Sequence, residues 1–220
     1  MASQGSLAVI EQEGRRVIEY SQRHPDRVVP QYPTWTQRDL AIHVASIHGR
    51  TAAICETLPQ ERIPTAQLPE GRDPFDWAGQ MLAEMVEALA SADPGARVWT
   101  FGSDPTLRFW ERRMVIETGV HRWDAQGALG RPDPLLPEVA SDGLDEFPDM
   151  YLGRLGDVPT IDLVATDLGR SWRYGEGEPV TAIEDTASAL FLRLMSRPGA
   201  DLPATWQEAV DALGSPADAS

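Results

Sequence analysis

The segment from Asp104 to Gly130, DPTLRFWERRMVIETGVHRWDAQGALG, decides how the rest of the chain is read. Asp104 can cap free amides and Pro105 suits a first helical position. Gly127, Gly130 and Pro132 close the pattern. Between these ends Leu107, Trp110, Met114, Glu117, His121, Asp124 and Ala128 alternate steps of three and four, so all lie on one helical face. Phe109, Ile116, Val120 and Trp123 widen that face, whereas Arg108, Glu111, Arg112, Arg122 and Gln126 are expected opposite, in solvent. Two carboxylates and an imidazole thus occupy positions where the pattern calls for apolar residues. Buried without partners they would be costly, and a metal ion would satisfy them.

Glu117 and His121, four apart, stack on adjacent turns and can converge on one point. A third donor must come from another helix, and His43 is the other histidine on a strongly apolar face, with Leu40, Val44, Ile47 and Ile54. Two imidazoles and a carboxylate leave one coordination position open, as in catalytic rather than structural zinc sites. Asp124 is placed to accept the ring hydrogen of a ligand histidine. The competing reading is a buried Glu117–Arg113 pair one turn apart, with His121 and His43 as core histidines. His48 is about 140° around the helix from His43, with Ala41, Ala45 and Ala52, and reads as a packing residue.

Going outward, residues 6–23 form an amphipathic helix and the DRVVPQYP stretch a loop. Thr36 and Asp39 make a capping-box start for a second helix. A Pro/Gly-rich loop over 58–74 leads to a third helix over 74–91, and a short extended piece is expected at Val98–Phe101. Beyond Pro132, Pro134 and Pro137, residues 137–153 read as a fifth helix. After Gly156 the period shortens to two. Strands are expected at 160–166, 171–174 and 180–183, then a helix capped by Asp185 through Met195 and another over 203–213. The last seven residues read as a loose tail. The expected fold is mainly α with a small α/β lobe: a helical bundle at 1–154 and a C-terminal α+β domain at 155–220.

Composition narrows the function. The chain has 220 residues, 34 acidic and 19 basic, all of the latter Arg, for a net charge of −15. Nucleic acid and anionic membrane surfaces are therefore not expected partners. Cys55 is the single cysteine, which excludes an internal disulfide and a thiolate zinc cluster. No apolar run approaches a membrane span, and the N-terminal stretch MASQGSLAVIEQEGRR has no secretory signal. A cytoplasmic monomer or homodimer is expected.

The segments WTQRDLAIHVASIHGR, FWERRMVIETGVHRWDAQGALG, EVASDGLDEF and SALFLRLMSRPG, in that order, resemble the maleylpyruvate isomerase-type, mycothiol-dependent branch of the DinB-like superfamily. The resemblance implies a four-helix metal-binding bundle followed by a small α/β domain. Its ligand positions, the histidine of DLxxH and the pair in ExxxH, correspond here to His43, Glu117 and His121. An Arg near the end of the second lobe is linked to the active site in that family, and Arg197 is the match, with Arg193 close by. The implied cofactors are a divalent metal, zinc by default, and mycothiol. The implied substrate is a small electrophile, attacked by the low-molecular-weight thiol in cis–trans isomerisation or S-transfer. A non-haem metal oxygen enzyme and a non-catalytic binding module are the alternatives.

Overall fold

The computed structural model describes residues 3–130 and 132–213. The expected tail lies outside them. The protein is mainly helical with a small sheet region. Two compact units divide after Asp133, and each has its own interior.

The first unit, Met1–Asp133, is built on four helices: α1 (Gln4–Arg23), α2 (Gln37–Thr57), α3 (Pro74–Ser91) and α4 (Leu107–Gly127). Helix α1 packs on the other three, and α2 packs on both α3 and α4. The stretch expected as a loop before α2 holds a small hairpin, β1 (Val28–Val29) and β2 (Tyr32–Thr36), with Val29 paired to Tyr32. Strand β2 runs straight into α2. The Thr36 side chain there accepts from the Asp39 amide while the Asp39 carboxylate accepts from the Thr36 amide at 2.8 Å. Helix α3 opens on an Asp73 cap followed by Pro74.

Helix α4 starts two residues later than Asp104 and Pro105 suggest. Asp104 caps nothing; its Oδ1 accepts from the Thr106 hydroxyl at 2.7 Å. The first helical amides are met by main chain instead, Leu107 N–H by Ala96 O at 3.1 Å and Arg108 N–H by Pro94 O at 3.1 Å. The segment around Val98 makes only a bridge, Arg97 to Thr106, rather than a strand. Two residues expected in solvent are buried: Arg122 at 0% exposure and Gln126 at 9%. Arg122 reaches the equally buried Glu13 of α1 at 2.6 Å and also donates to Gln126 and to the Asp133 carbonyl. Helical phase reports a residue's angle on its own helix, not the neighbour that covers it.

The second unit, Pro134–Ser220, contains α5 (Pro137–Met150), a three-stranded sheet, α6 (Ala187–Leu194) and α7 (Ala204–Ala212). Strand β3 (Ile161–Ala165) lies between β4 (Arg170–Tyr174), antiparallel, and β5 (Thr181–Asp185), parallel. The cap of α6 is Thr186 rather than Asp185, whose Oδ1 accepts from the Thr186 amide. The boundary expected at 154/155 marks where strand periodicity begins. Helix α5 packs on α6 and β4, so the compact unit begins earlier, at Pro134. Its core is apolar: Leu144, Phe147, Ile161, Leu163, Tyr174, Leu190, Phe191 and Trp206 are 0–1% exposed. The two polar tips there are satisfied, Tyr174 Oη by Leu144 O at 2.6 Å and Trp206 Nε1 by Pro159 O at 2.7 Å.

Candidate active site

The polar stripe of α4 meets α2 inside the first unit. Helix α2 passes α4 in the opposite sense: Gln37 Nε2 donates to Ala125 O at 2.6 Å, His48 Nε2 lies 3.0 Å from Thr118 Oγ1, and Thr51 Oγ1 donates to Met114 Sδ at 3.3 Å. This register brings the His43 and His121 rings edge to face, with centroids 5.1 Å apart. On α4, His121 Nε2 lies 3.3 Å from Glu117 Oε2, and His121 Nδ1 lies 3.1 Å from Asp124 Oδ2. Glu117 Oε1 is held by Arg113 Nη2. Thus His43, Glu117, His121 and Asp124 are neighbours, and the Arg113–Glu117 pair of the competing reading is present as well.

The electrostatics follow from crowding and burial. Burial, and then the nearby His121, lower His43 to about 4, so its ring is neutral near pH 7. Burial pushes Glu117 upward, but Arg113 and His121 more than reverse this and hold it well below the usual carboxylate range. Burial opposes charge on His121 too, yet Asp124 and Glu117 raise it above the ordinary histidine value. His48, at 2% exposure, is lowered to about 3 chiefly by burial. Cys55 is buried on α2, its thiol pushed up to about 12 by burial and then by Glu56.

An aromatic wall that the sequence reading missed stands beside the imidazoles. Tyr32 and Trp35 of β2 stack at 4.5 Å; Trp35 lies 4.7 Å from the His43 ring and Tyr32 6.1 Å from the His121 ring. Its only sequence signal was an aromatic pair just ahead of the Thr36 cap. Among the described residues no three His, Cys, Asp or Glu side chains are arranged as a formed metal cage. In the second unit, Arg197 is 1% exposed and donates to Met195 O at 2.6 Å, and Arg193 pairs with Asp211 at 2.6 Å. No helix of the described residues is long and apolar enough to cross a membrane.

A four-helix unit in which His43, Glu117 and His121 are neighbours, followed by a small mixed-sheet unit, is a helical N-terminal domain followed by an α+β one. Residues 7–126 match the family described as mycothiol maleylpyruvate isomerase N-terminal domain, and the chain belongs to that family. Among solved structures it is similar to the mycothiol-dependent maleylpyruvate isomerase, at 13% identity and TM-score 0.67, covering 91% of this chain and 94% of that one. A histidine-to-alanine variant of that isomerase superposes with TM-score 0.69 at 12% identity, with the same coverage. At such identities the likeness speaks for the fold. No curated protein matches the chain.

Proposed function

We propose that the protein is a mycothiol-dependent enzyme in which His43, Glu117 and His121 hold a divalent metal, zinc by default. The observation that carries this reading is the contact of His121 Nε2 with Glu117 Oε2 at 3.3 Å while Nδ1 faces Asp124. A neutral ring whose Nδ1 hydrogen goes to Asp124 turns a lone pair toward the Glu117 oxygen, and a cation between them would satisfy both; without one, Asp124 and Glu117 favour the protonated ring, whose Nε2 hydrogen fills the same place. Zinc–ligand bonds of about 2.0–2.1 Å at a tetrahedral angle put neighbouring donor atoms about 3.3 Å apart. Two imidazoles on one such ion have centroids roughly 5 Å apart, and those of His43 and His121 are 5.1 Å apart. The donor set therefore fits, although the side chains do not stand as a formed cage.

In this reading Asp124 fixes the His121 tautomer and orientation. Arg113 keeps Glu117 ionised through Oε1 and leaves Oε2 to bind. Burial keeps His43 neutral, the form that ligates. Tyr32 and Trp35 wall the imidazoles from water on one side. When bound, the ion would stabilise the cofactor's thiolate as nucleophile toward a small electrophile, giving cis–trans isomerisation of maleylpyruvate type or S-transfer. Arg197, with Arg193 as the alternative, would hold a substrate carboxylate by paired hydrogen bonds.

The test is metal analysis of the purified protein together with mycothiol titration of its cobalt-substituted form. One equivalent of metal and a thiol-dependent change in the cobalt spectrum are expected. Metal-loaded protein whose spectrum ignores mycothiol would overturn the thiol reading. Protein that binds no metal would favour the Arg113–Glu117 pair as a purely structural element of a non-catalytic binding module.

A further inference from the structure

Helix α2 presents a second polar group to the same region. Arg50 follows His43 by seven residues, two turns along one face. The His48–Thr118 and Thr51–Met114 contacts fix its level, beside the turn of α4 that carries Glu117. Arg50 is 3% exposed, and its guanidinium carbon lies 5.3 Å over the Trp110 ring. Among the described residues its Nε has no hydrogen-bond partner, and no carboxylate forms an ion pair with it.

A guanidinium carries five donors in a rigid fork. Burying the Nε of one with only an aromatic face beside it is unfavourable unless an anion completes the site. Glu117, the nearest source of negative charge, is already in direct contact with Arg113 and His121. Burial draws Arg50 below the ordinary guanidine range, and Glu117 opposes this only through space. In a chain of net charge −15, Arg50 is thus a positive group without a neutralising contact. At that level of α4 the Glu117 side chain is 20% exposed.

We infer that Arg50 is an anion-binding residue that takes a carboxylate of the small electrophilic substrate beside the His43–Glu117–His121 cluster. This rests on the reading of that cluster as the reaction site. It adds a specificity determinant within the first unit. A guanidinium fork favours a paired contact with a planar carboxylate over contact with a single point charge.

The probe is maleate, a small unsaturated dicarboxylate, titrated into metal-loaded protein by calorimetry, with its dimethyl ester and inorganic sulfate as separate arms. Arg50→Met keeps the apolar stem and removes an unpaired buried charge, so folding is retained. Arg50→Lys keeps charge without the fork. Maleate should bind the unaltered protein, at least tenfold more weakly to Arg50→Met and at intermediate strength to Arg50→Lys; the ester should not bind. Equal maleate affinity in all three proteins, or no maleate binding at all, overturns the inference. Displacement of maleate by equimolar sulfate overturns the carboxylate assignment and leaves a site for any small anion. The cobalt spectrum keeps the two readings apart. If maleate binding depends on Arg50 while mycothiol leaves the spectrum unchanged, the thiol reading fails and the Arg50 site stands. If mycothiol shifts the spectrum and maleate ignores Arg50, only the Arg50 site fails.

Discussion

Helix α4 carries two charged constellations, and they are built to different plans. On one side, Arg122 and Glu13 are both at 0% side-chain exposure, and Arg122 has further acceptors in Gln126 and the Asp133 carbonyl. The contact with Glu13 joins α4 to α1, and the others are to Gln126 of α4 itself and to the segment just after it. On the other side, Arg113, Glu117, His121 and Asp124 form a chain of contacts that stays partly open at Glu117, with a half-buried His43 facing it. Burial alone therefore does not mark function. A closed, fully partnered pair reads as a structural brace, whereas an open cluster with shifted titrations reads as a working site.

The largest effect expected from this contrast is on stability. Arg122→Ala leaves the buried Glu13 carboxylate with only the longer contact to the partly exposed Arg16, at 3.4 Å, and should cost about 3 kcal/mol in chemical denaturation. His43→Ala, in the open cluster, should cost about 1 kcal/mol or less when both proteins are compared metal-free, yet abolish stoichiometric metal. If the two variants are equally destabilised, or if His43→Ala keeps its metal, the contrast fails.

A smaller effect appears on acidification. His48 is lowered to about 3 by burial, with His121 and His43 adding to the fall and Glu117 opposing it. The unfolded chain takes up this proton near pH 6.5 and the folded protein does not. The contribution is nil above pH 6.5, and stability is lost as the pH falls below it, by up to about 2 kcal/mol at pH 5. His48→Gln preserves a partner for Thr118 and removes the titration. Its denaturation midpoint should fall less steeply between pH 6.5 and 5 than that of the unaltered protein, and parallel curves would rule His48 out as the cause.

The smallest effect lies at the entry to α2, which carries His43. Thr36→Ala removes the side-chain half of the reciprocal cap, leaving the amide of residue 36 to donate to Asp39, and should cost about 1 kcal/mol, with metal content unchanged. Loss of metal in this variant would show that the cap positions the site rather than merely starting a helix.

What could be read in the sequence was what is local. The Thr36–Asp39 box, the third helix over 74–91 and the two-residue period of β3 each rest on neighbouring residues, and those elements form as expected. Elements whose cause is distant were misread. Arg122 looked solvated because its partner Glu13 lies on another helix, and Asp104 looked like a cap because the carbonyls of Pro94 and Ala96 could not be foreseen. The β1–β2 hairpin was hidden by its brevity and prolines, and with it the Tyr32–Trp35 wall. In the site, phase along α4 placed Glu117, His121 and Asp124 on one face. It could not weigh Arg113 as a partner of Glu117 against a metal.

Cys55 gives the molecule one last property. A member of a mycothiol-dependent family carries a single sulfhydryl, buried and held near 12. At neutral pH roughly one such group in 10⁵ would be ionised, and disulfide exchange proceeds only through the ionised form. When the cell's thiol pool turns oxidising, this protein offers no sulfur for mixed-disulfide trapping. The sulfhydryl is set apart from disulfide exchange, a bystander to redox swings in the thiols around it.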